Sequence, residues 1–351
     1  MARTTFRRGR EGVSRFAEEF TIPHRASPPD RADAASQRAP RMSLADAAAA
    51  PGRGGLGGFA AQAAILGFGV LLWAVSRWYP ADMPAIGPYD FSATIYLAVA
   101  FTGFWYLRGL ARSAPADRPA AWRIASFLAG LGLLYLVVQT GLEYPMQRMF
   151  FLHRIQHVVL HHIGPVLIGL SMAGPVILRG APRGLGLIAA SRPMRAVMRV
   201  IQHPVPATLL FSGSFYFWLY PPLHFVAMLN RPLYELMNWT MAVDGILFWA
   251  MVLDTRPFPL AHARFGTRAA LAVAVMFPQI VLGAIITFST RDLYPYYAYC
   301  GRYFPSISAV TDQQIGGIVI WIPPAMMSVL GLLVVLGNMN RAEVKARAGR
   351  R

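Results

Sequence analysis

Long apolar runs of about 20 residues, nearly free of charge, constrain this chain more than any other feature, because that is the length a helix needs to cross a hydrocarbon core. Eight are found, at 57–77, 91–110, 122–142, 150–178, 206–228, 233–253, 269–289 and 314–338. In lipid each backbone polar group must be satisfied within its own segment, so the runs are expected to be helical. The expected fold class is an all-α integral membrane protein, a bundle of eight transmembrane helices. Composition agrees: 55% of the 351 residues are hydrophobic and 14% are charged, against about 25% charged in soluble domains.

The net charge of +17 would suggest nucleic acid in a soluble protein. Here the arginines fill the gaps between apolar runs, which is what membrane topology requires. The bilayer is therefore the expected partner and nucleic acid is not. Arg108, Arg112, Arg118 and Arg123 surround the second gap, Arg179, Arg183, Arg192, Arg195 and Arg199 the fourth, and Arg256, Arg264 and Arg268 the sixth. The alternate gaps are poorer in arginine, and the first holds Asp82 and Asp90. Positive-inside logic places both termini in the cytoplasm, and an Ala-, Arg- and Gly-rich chain with Lys345 as its one lysine suggests a bacterial source and hence the plasma membrane. The expected organisation is a disordered Arg-rich tail at 1–55, a membrane domain at 56–340 and a basic cytoplasmic tail at 341–351. No apolar stretch follows the early arginines as a signal peptide requires, and Met42 is an alternative start.

Cys300 is the only cysteine, which excludes an internal disulfide and any CxxC site. P-loop, GxSxG and HExxH patterns do not occur, and a non-enzymatic role is expected.

Ionisable residues inside spans point to function by default. The fourth run carries His153, His157, His161 and His162. The first three recur every four residues and predict one helical stripe in the outer half of the membrane, with His162 turned away. His153 and His161 are about 12 Å apart along the axis, so one metal ion takes an adjacent pair, plus ligands from other helices. Neutral imidazole suits copper, zinc or haem iron; the alternative is polar packing between helices. Tyr220, His224, Tyr234, Glu235, Asn238, the loop residues Tyr294, Tyr296, Tyr297, Tyr299, Cys300 and Tyr303, and Asp312 are expected at the same depth. Asp312 also suits a helix cap, and the tyrosines suit an interfacial belt. Asp244 falls mid-span, in position to pair with another polar group or to line a proton path.

Residues from about 93 to 337 resemble the multi-helix cytochrome c oxidase assembly factors of the CtaG kind. The resemblance rests on Phe151-Leu-His153-x-x-Gln156-His157-x-x-Leu160 followed by Gly164-Pro165-x-Leu167. It rests equally on Asp312-Gln313-Gln314-Ile-Gly316-Gly317-x-x-x-Trp321-Ile-Pro323. Weaker matches are Arg123-x-x-x-Phe127-x-x-Gly130, His203-Pro204, Phe248-Trp249 and Leu282-Gly283. Where the family carries histidines near the end of the fifth span and the start of the sixth, this chain has Tyr220, Tyr234 and Asn238, with His224 nearby. The resemblance implies maturation of a haem–copper oxidase, with oxidase subunits as partners and copper as the metal. A haem b carrier and a metal-ion transporter are the competing readings.

Overall fold

Proline and glycine punctuate the apolar runs and set where each helix stops or bends. The computed structural model describes residues 56–350; the tail expected to be disordered lies outside the described residues. In chain order the helices of more than one turn are α1 (Leu56–Trp78), α2 (Ala93–Ala111), α3 (Ala121–Gln139), α4 (Phe150–Ser171), α5 (Gly174–Gly180) and α6 (Arg183–Ala190). They continue with α7 (Arg192–Ile201), α8 (Pro204–Leu219), α9 (Pro221–Leu229), α10 (Arg231–Val252), α11 (Phe265–Phe288) and α12 (Ala309–Ala348). No strand occurs among the described residues.

The interior is apolar, as in a water-soluble protein, but it also holds buried polar and charged side chains, and large apolar side chains cover the outside. His153, His157, His161, His162, His224, Arg154 and Arg268 are buried, while Phe59, Leu209, Phe288 and Leu333 are exposed. An apolar exterior over buried polar groups suits a lipid solvent, and the chain is a membrane protein. Four helices are long and apolar enough to span alone: Gly58–Trp78, Ala121–Gln139, Phe265–Phe288 and Ala309–Ala348. The pair α4–α5 is long and apolar enough when taken together, but it is bent by 74°, the shape of a broken span or a re-entrant loop. The other three predicted runs are helical but fall outside this set. Helix α8 ends at Tyr220 before Pro221-Pro222, α10 carries Arg231, Glu235 and Asp244, and α2 carries Arg108 among Thr, Tyr and Trp residues. Helix α12 runs through the expected boundary at 341.

Helix α4 holds the departure from regular geometry that shapes the interior. Pro165 has no N–H to give the His161 carbonyl, and its ring clashes with that carbonyl in a straight α-helix. The chain answers with a π-helical turn over Val159–Ile163, in which the Gly164 N–H bonds the Val159 carbonyl. The extra residue in the turn rotates everything after it. Gly245 on α10 lies against this bulge; a Cβ there would sit 2.6 Å from the His161 carbonyl oxygen.

Beyond Ser171 the chain turns at Met172, which has φ 53°, and α5 folds back onto α2. Arg108 Nη1 donates to the Gly180 carbonyl at 3.4 Å, and Arg112 Nη1 donates to the Arg179 carbonyl at 3.2 Å. Helix α7 follows as a short amphipathic piece. Arg192, Arg195 and Arg199 share one face, Met194, Val197 and Ile201 lie opposite, and none of its residues is buried. Such a helix suits the plane of a membrane surface.

Candidate functional site

The start of α4 sets the site. Its first N–H groups have no partner within the helix, and Asp312 from α12 supplies one. Asp312 accepts from the Phe150 N–H at 2.9 Å and the Phe151 N–H at 2.8 Å, and pairs with Arg302. Asp312 is therefore a cap, but of α4 rather than of its own helix, where Ser308 fills that place. Gln313 accepts from the Leu293 N–H at 2.7 Å and donates to the Arg291 carbonyl at 3.0 Å, fixing the loop before α12. Gln314 is half-buried and makes no side-chain hydrogen bond among the described residues. Trp321 packs on Gly283 of α11.

One turn into α4, His153 and His157 face each other with ring centroids 4.4 Å apart. His224 of α9 joins them, its ring 5.5 Å from that of His153. The loop between α11 and α12 lowers Tyr297 between the two helices. Its hydroxyl lies 2.7 Å from His153 Nδ1 and 3.0 Å from His224 Nε2. His224 Nδ1 lies 3.1 Å from the Trp218 carbonyl oxygen.

These contacts fix the protons when both imidazoles are neutral. A carbonyl only accepts, so His224 Nδ1 carries the hydrogen. Its Nε2 then accepts from the Tyr297 O–H, and the phenol oxygen accepts from His153 Nδ1–H. His153 Nε2 is left with a bare lone pair, and no polar partner meets it. Both ring nitrogens of His157 are likewise buried without a partner. A hydrogen bond to one imidazole nitrogen that presents the other is the usual arrangement behind a metal-ligating histidine. Burial pushes the Tyr297 phenol well above its ordinary value, so it keeps the proton this chain of bonds needs.

The expected three-histidine stripe requires correction. The π turn carries His161 off the line of His153 and His157. Its Nε2 lies 3.0 Å from Asp244 Oδ1, and its Nδ1 lies 3.4 Å from His162 Nδ1. His162 is buried rather than turned away, with Nε2 3.3 Å from Gln279 Nε2. Asp244–His161–His162–Gln279 thus forms a second, deeper polar row. Pro165 causes the separation. Gln156 braces the upper site, donating to the Val137 carbonyl at 2.8 Å and lying 3.3 Å from the Tyr234 hydroxyl. Among the described residues no three His, Cys, Asp or Glu side chains gather as a metal site. His153 and His157 are two open donors, a fit for imidazole ligation of copper that leaves the ligand set incomplete.

Of the expected convergence, Tyr294 stacks on Phe150 at 4.2 Å and donates to the Leu219 carbonyl at 2.9 Å. Asn238 is buried at the same end. Tyr220, Tyr299 and Tyr303 are exposed, and Cys300 is half-buried in the loop, where its carbonyl accepts from Arg148 at 2.9 Å. The sequence places Arg154 at the start of the fourth run and Glu143 in the gap before it, but sequence reasoning gave neither a place in the site; that Arg154 follows directly on His153, in a run with no acid, was the available signal.

Glu143 lies in the turn between α3 and α4. Burial pushes its carboxyl up from 4.5 to about 8, with the Tyr234 hydroxyl pulling the other way and Asp90 adding to the rise. The folded protein therefore holds a proton that the unfolded chain has released above about pH 4.5. Stability should fall as pH rises from about 4.5 to about 8, with a slope of at most about 1.4 kcal/mol per pH unit. Glu143→Gln should flatten that slope in thermal melts of the purified protein, and equal slopes for both proteins would refute the assignment.

Residues 104–342 match the family described as cytochrome c oxidase caa3 assembly factor (Caa3_CtaG). Uncharacterized proteins of Mycobacterium bovis and Mycobacterium tuberculosis are each 28% identical over 266 residues, covering 71% of this chain and 39% of theirs. One of Mycobacterium leprae is 24% identical over 266 residues, covering 72% and 38%. The chain thus spans less than half the length of these relatives. No solved structure matches. With more than half of its length inside the family match, and with both histidine and Asp-Gln-Gln motifs at one end of the bundle, the chain belongs to the cytochrome c oxidase caa3 assembly factor family.

Proposed function

We propose that the chain is a non-enzymatic factor that crosses a bacterial plasma membrane eight times with both termini inside, and that it hands copper to a haem–copper oxidase at the outer face. The observation that carries this is the bare pair of imidazoles. The hydrogen-bond chain from Trp218 through His224 and Tyr297 leaves His153 Nε2 a free acceptor beside His157. Burying unsatisfied polar nitrogens costs stability, and two imidazoles side by side with bare nitrogens suit a shared ligand. Copper is the cargo, and oxidase subunits are the partners that receive it. The Arg-rich surfaces around α7 and the ends of α2 and α5 support an inward-facing opposite end.

The test is a His153→Ala/His157→Ala double variant expressed from the chromosome. Copper bound to the purified protein should fall from about one equivalent to none, and oxidase activity of the membranes should fall several-fold at unchanged expression. Wild-type oxidase activity in the double variant would overturn the proposal.

A second reading, passage of a metal cation through the bundle, has one observation in its favour. The row Asp244–His161–His162–Gln279 continues inward along α4 from His157. Copper uptake into proteoliposomes that is lost in Asp244→Asn would favour transport over handover.

A further inference from the structure

Arg154 is the least satisfied group in the upper site. It is 1% exposed, and Nε, Nη1 and Nη2 all lack a hydrogen-bond partner. Its guanidinium lies 4.8 Å over the Phe150 ring, close enough to His153, His157 and His224 to act electrostatically on each. The polar neighbours acting on it are the phenols of Tyr297, Tyr294 and Tyr234. Among the described residues no carboxylate comes within ion-pair distance. Asp312, the acid of this end, is already held by Arg302 and the start of α4. An arginine stays protonated in proteins, and an unpaired buried charge is strongly destabilising. A copper ion between His153 and His157 would add a second positive charge in the same dry site.

Resting on the copper reading above, we infer that the metal is taken together with an anionic donor, a thiolate or carboxylate side chain of the protein that delivers or receives it, and that Arg154 is the built-in counter-charge for that donor. Two imidazoles leave the metal's other positions open, and the guanidinium one residue beyond His153 has no partner for any of its nitrogens. The arrangement holds copper weakly while it is alone and firmly while a partner's donor is present, which suits a transfer station. Delivery is a ligand exchange with no change in oxidation state: one partner's anionic donor leaves the metal as the next one binds.

The experiment uses the full chain in detergent and measures Cu(I) affinity by competition with a chromogenic chelator. The arms are Cu(I) alone, Cu(I) with N-acetylcysteine and Cu(I) with acetate. In the wild type, one anion should tighten Cu(I) binding about ten-fold, within the usual range of coupled sites; which anion does so tells thiolate from carboxylate. Arg154→Lys should keep the coupling, while Arg154→Gln should lose it and bind Cu(I) alone more tightly than the wild type. X-ray absorption should show one sulfur or oxygen donor joining two nitrogens in the coupled arm. Equal wild-type affinity in all arms, or the same gain in Arg154→Gln, would overturn the inference while leaving the copper site intact. No Cu(I) binding in any arm would overturn the copper reading and this inference with it. Should Arg154→Gln fail to fold, the wild-type and Arg154→Lys arms still decide.

Discussion

An Asp312→Ala variant is expected to lose about 3–5 kcal/mol of stability, the cost of removing one partner from a buried charged pair. Asp312 is 1% exposed and serves three groups at once: the Phe150 and Phe151 N–H groups and the Arg302 guanidinium. Alanine leaves both N–H groups without an acceptor and takes the carboxylate from Arg302, which keeps only the Ile307 carbonyl as acceptor. Asparagine keeps an acceptor for one N–H and should lose less. Melting of the detergent-solubilised protein, followed by size exclusion, reads the difference. Arg302→Met alone should also destabilise, and the double variant Asp312→Ala/Arg302→Met should be more stable than the sum of the single losses predicts, by about 1–3 kcal/mol of coupling. An Asp312→Ala protein that melts with the wild type would remove Asp312 as the anchor of α4. Because His153 lies one turn beyond the cap, the cap also aims the histidine pair, so copper content per folded molecule should fall in Asp312→Ala and partly recover in Asp312→Asn.

The helices were legible in the sequence because hydrophobicity is a property of each residue: every apolar run is helical, though 150–178 and 206–228 are each broken into two helices and four helices are long and apolar enough to span alone. The breaks were less legible. Pro165 and Pro221-Pro222 were visible, but a proline marks that a helix must adjust, not how. At Pro221 the helix ends, as a pre-proline residue in extended conformation requires. At Pro165 the helix continues through a π turn instead, because α10 presents Gly245 and can accept the bulge. That choice depends on a partner helix 80 residues away, and it decides which histidines meet. His153 and His157 precede the bulge and keep helical spacing, whereas His161 lies within it and turns to Asp244. Tyr297 illustrates the same limit. Its place in a Tyr-rich loop fits an interfacial belt equally well, and only the packing of that loop over α4 and α9 makes it a bridge between two imidazoles.

Replacing Gly109 or Gly180 by valine should prevent α5 from docking and strongly lower the yield of folded protein. A Cβ on Gly109 would overlap the Val176 carbonyl, and one on Gly180 would overlap the Trp105 carbonyl. Both collisions are with backbone, which cannot change rotamer to make room, so the helices must separate. Overpacking of a side-chain core costs about 1–3 kcal/mol; here the arginine bonds from α2 to the end of α5 are lost as well. Close approach over small residues is how membrane helices associate without a hydrophobic force between them. Gly132 on α3 is the control, because a Cβ there meets nothing within 4 Å. Gly132→Ala should be neutral or stabilising by up to about 1 kcal/mol, the propensity difference in a helix interior. The contrast reads in melting temperature and in expression, and a Gly109→Val protein as stable as the Gly132→Ala control would refute the close-packed account. The histidine pair lies at the opposite end of α4 from this contact. Whatever Gly109→Val protein does fold should therefore bind copper normally, which separates damage to the bundle from damage to the site.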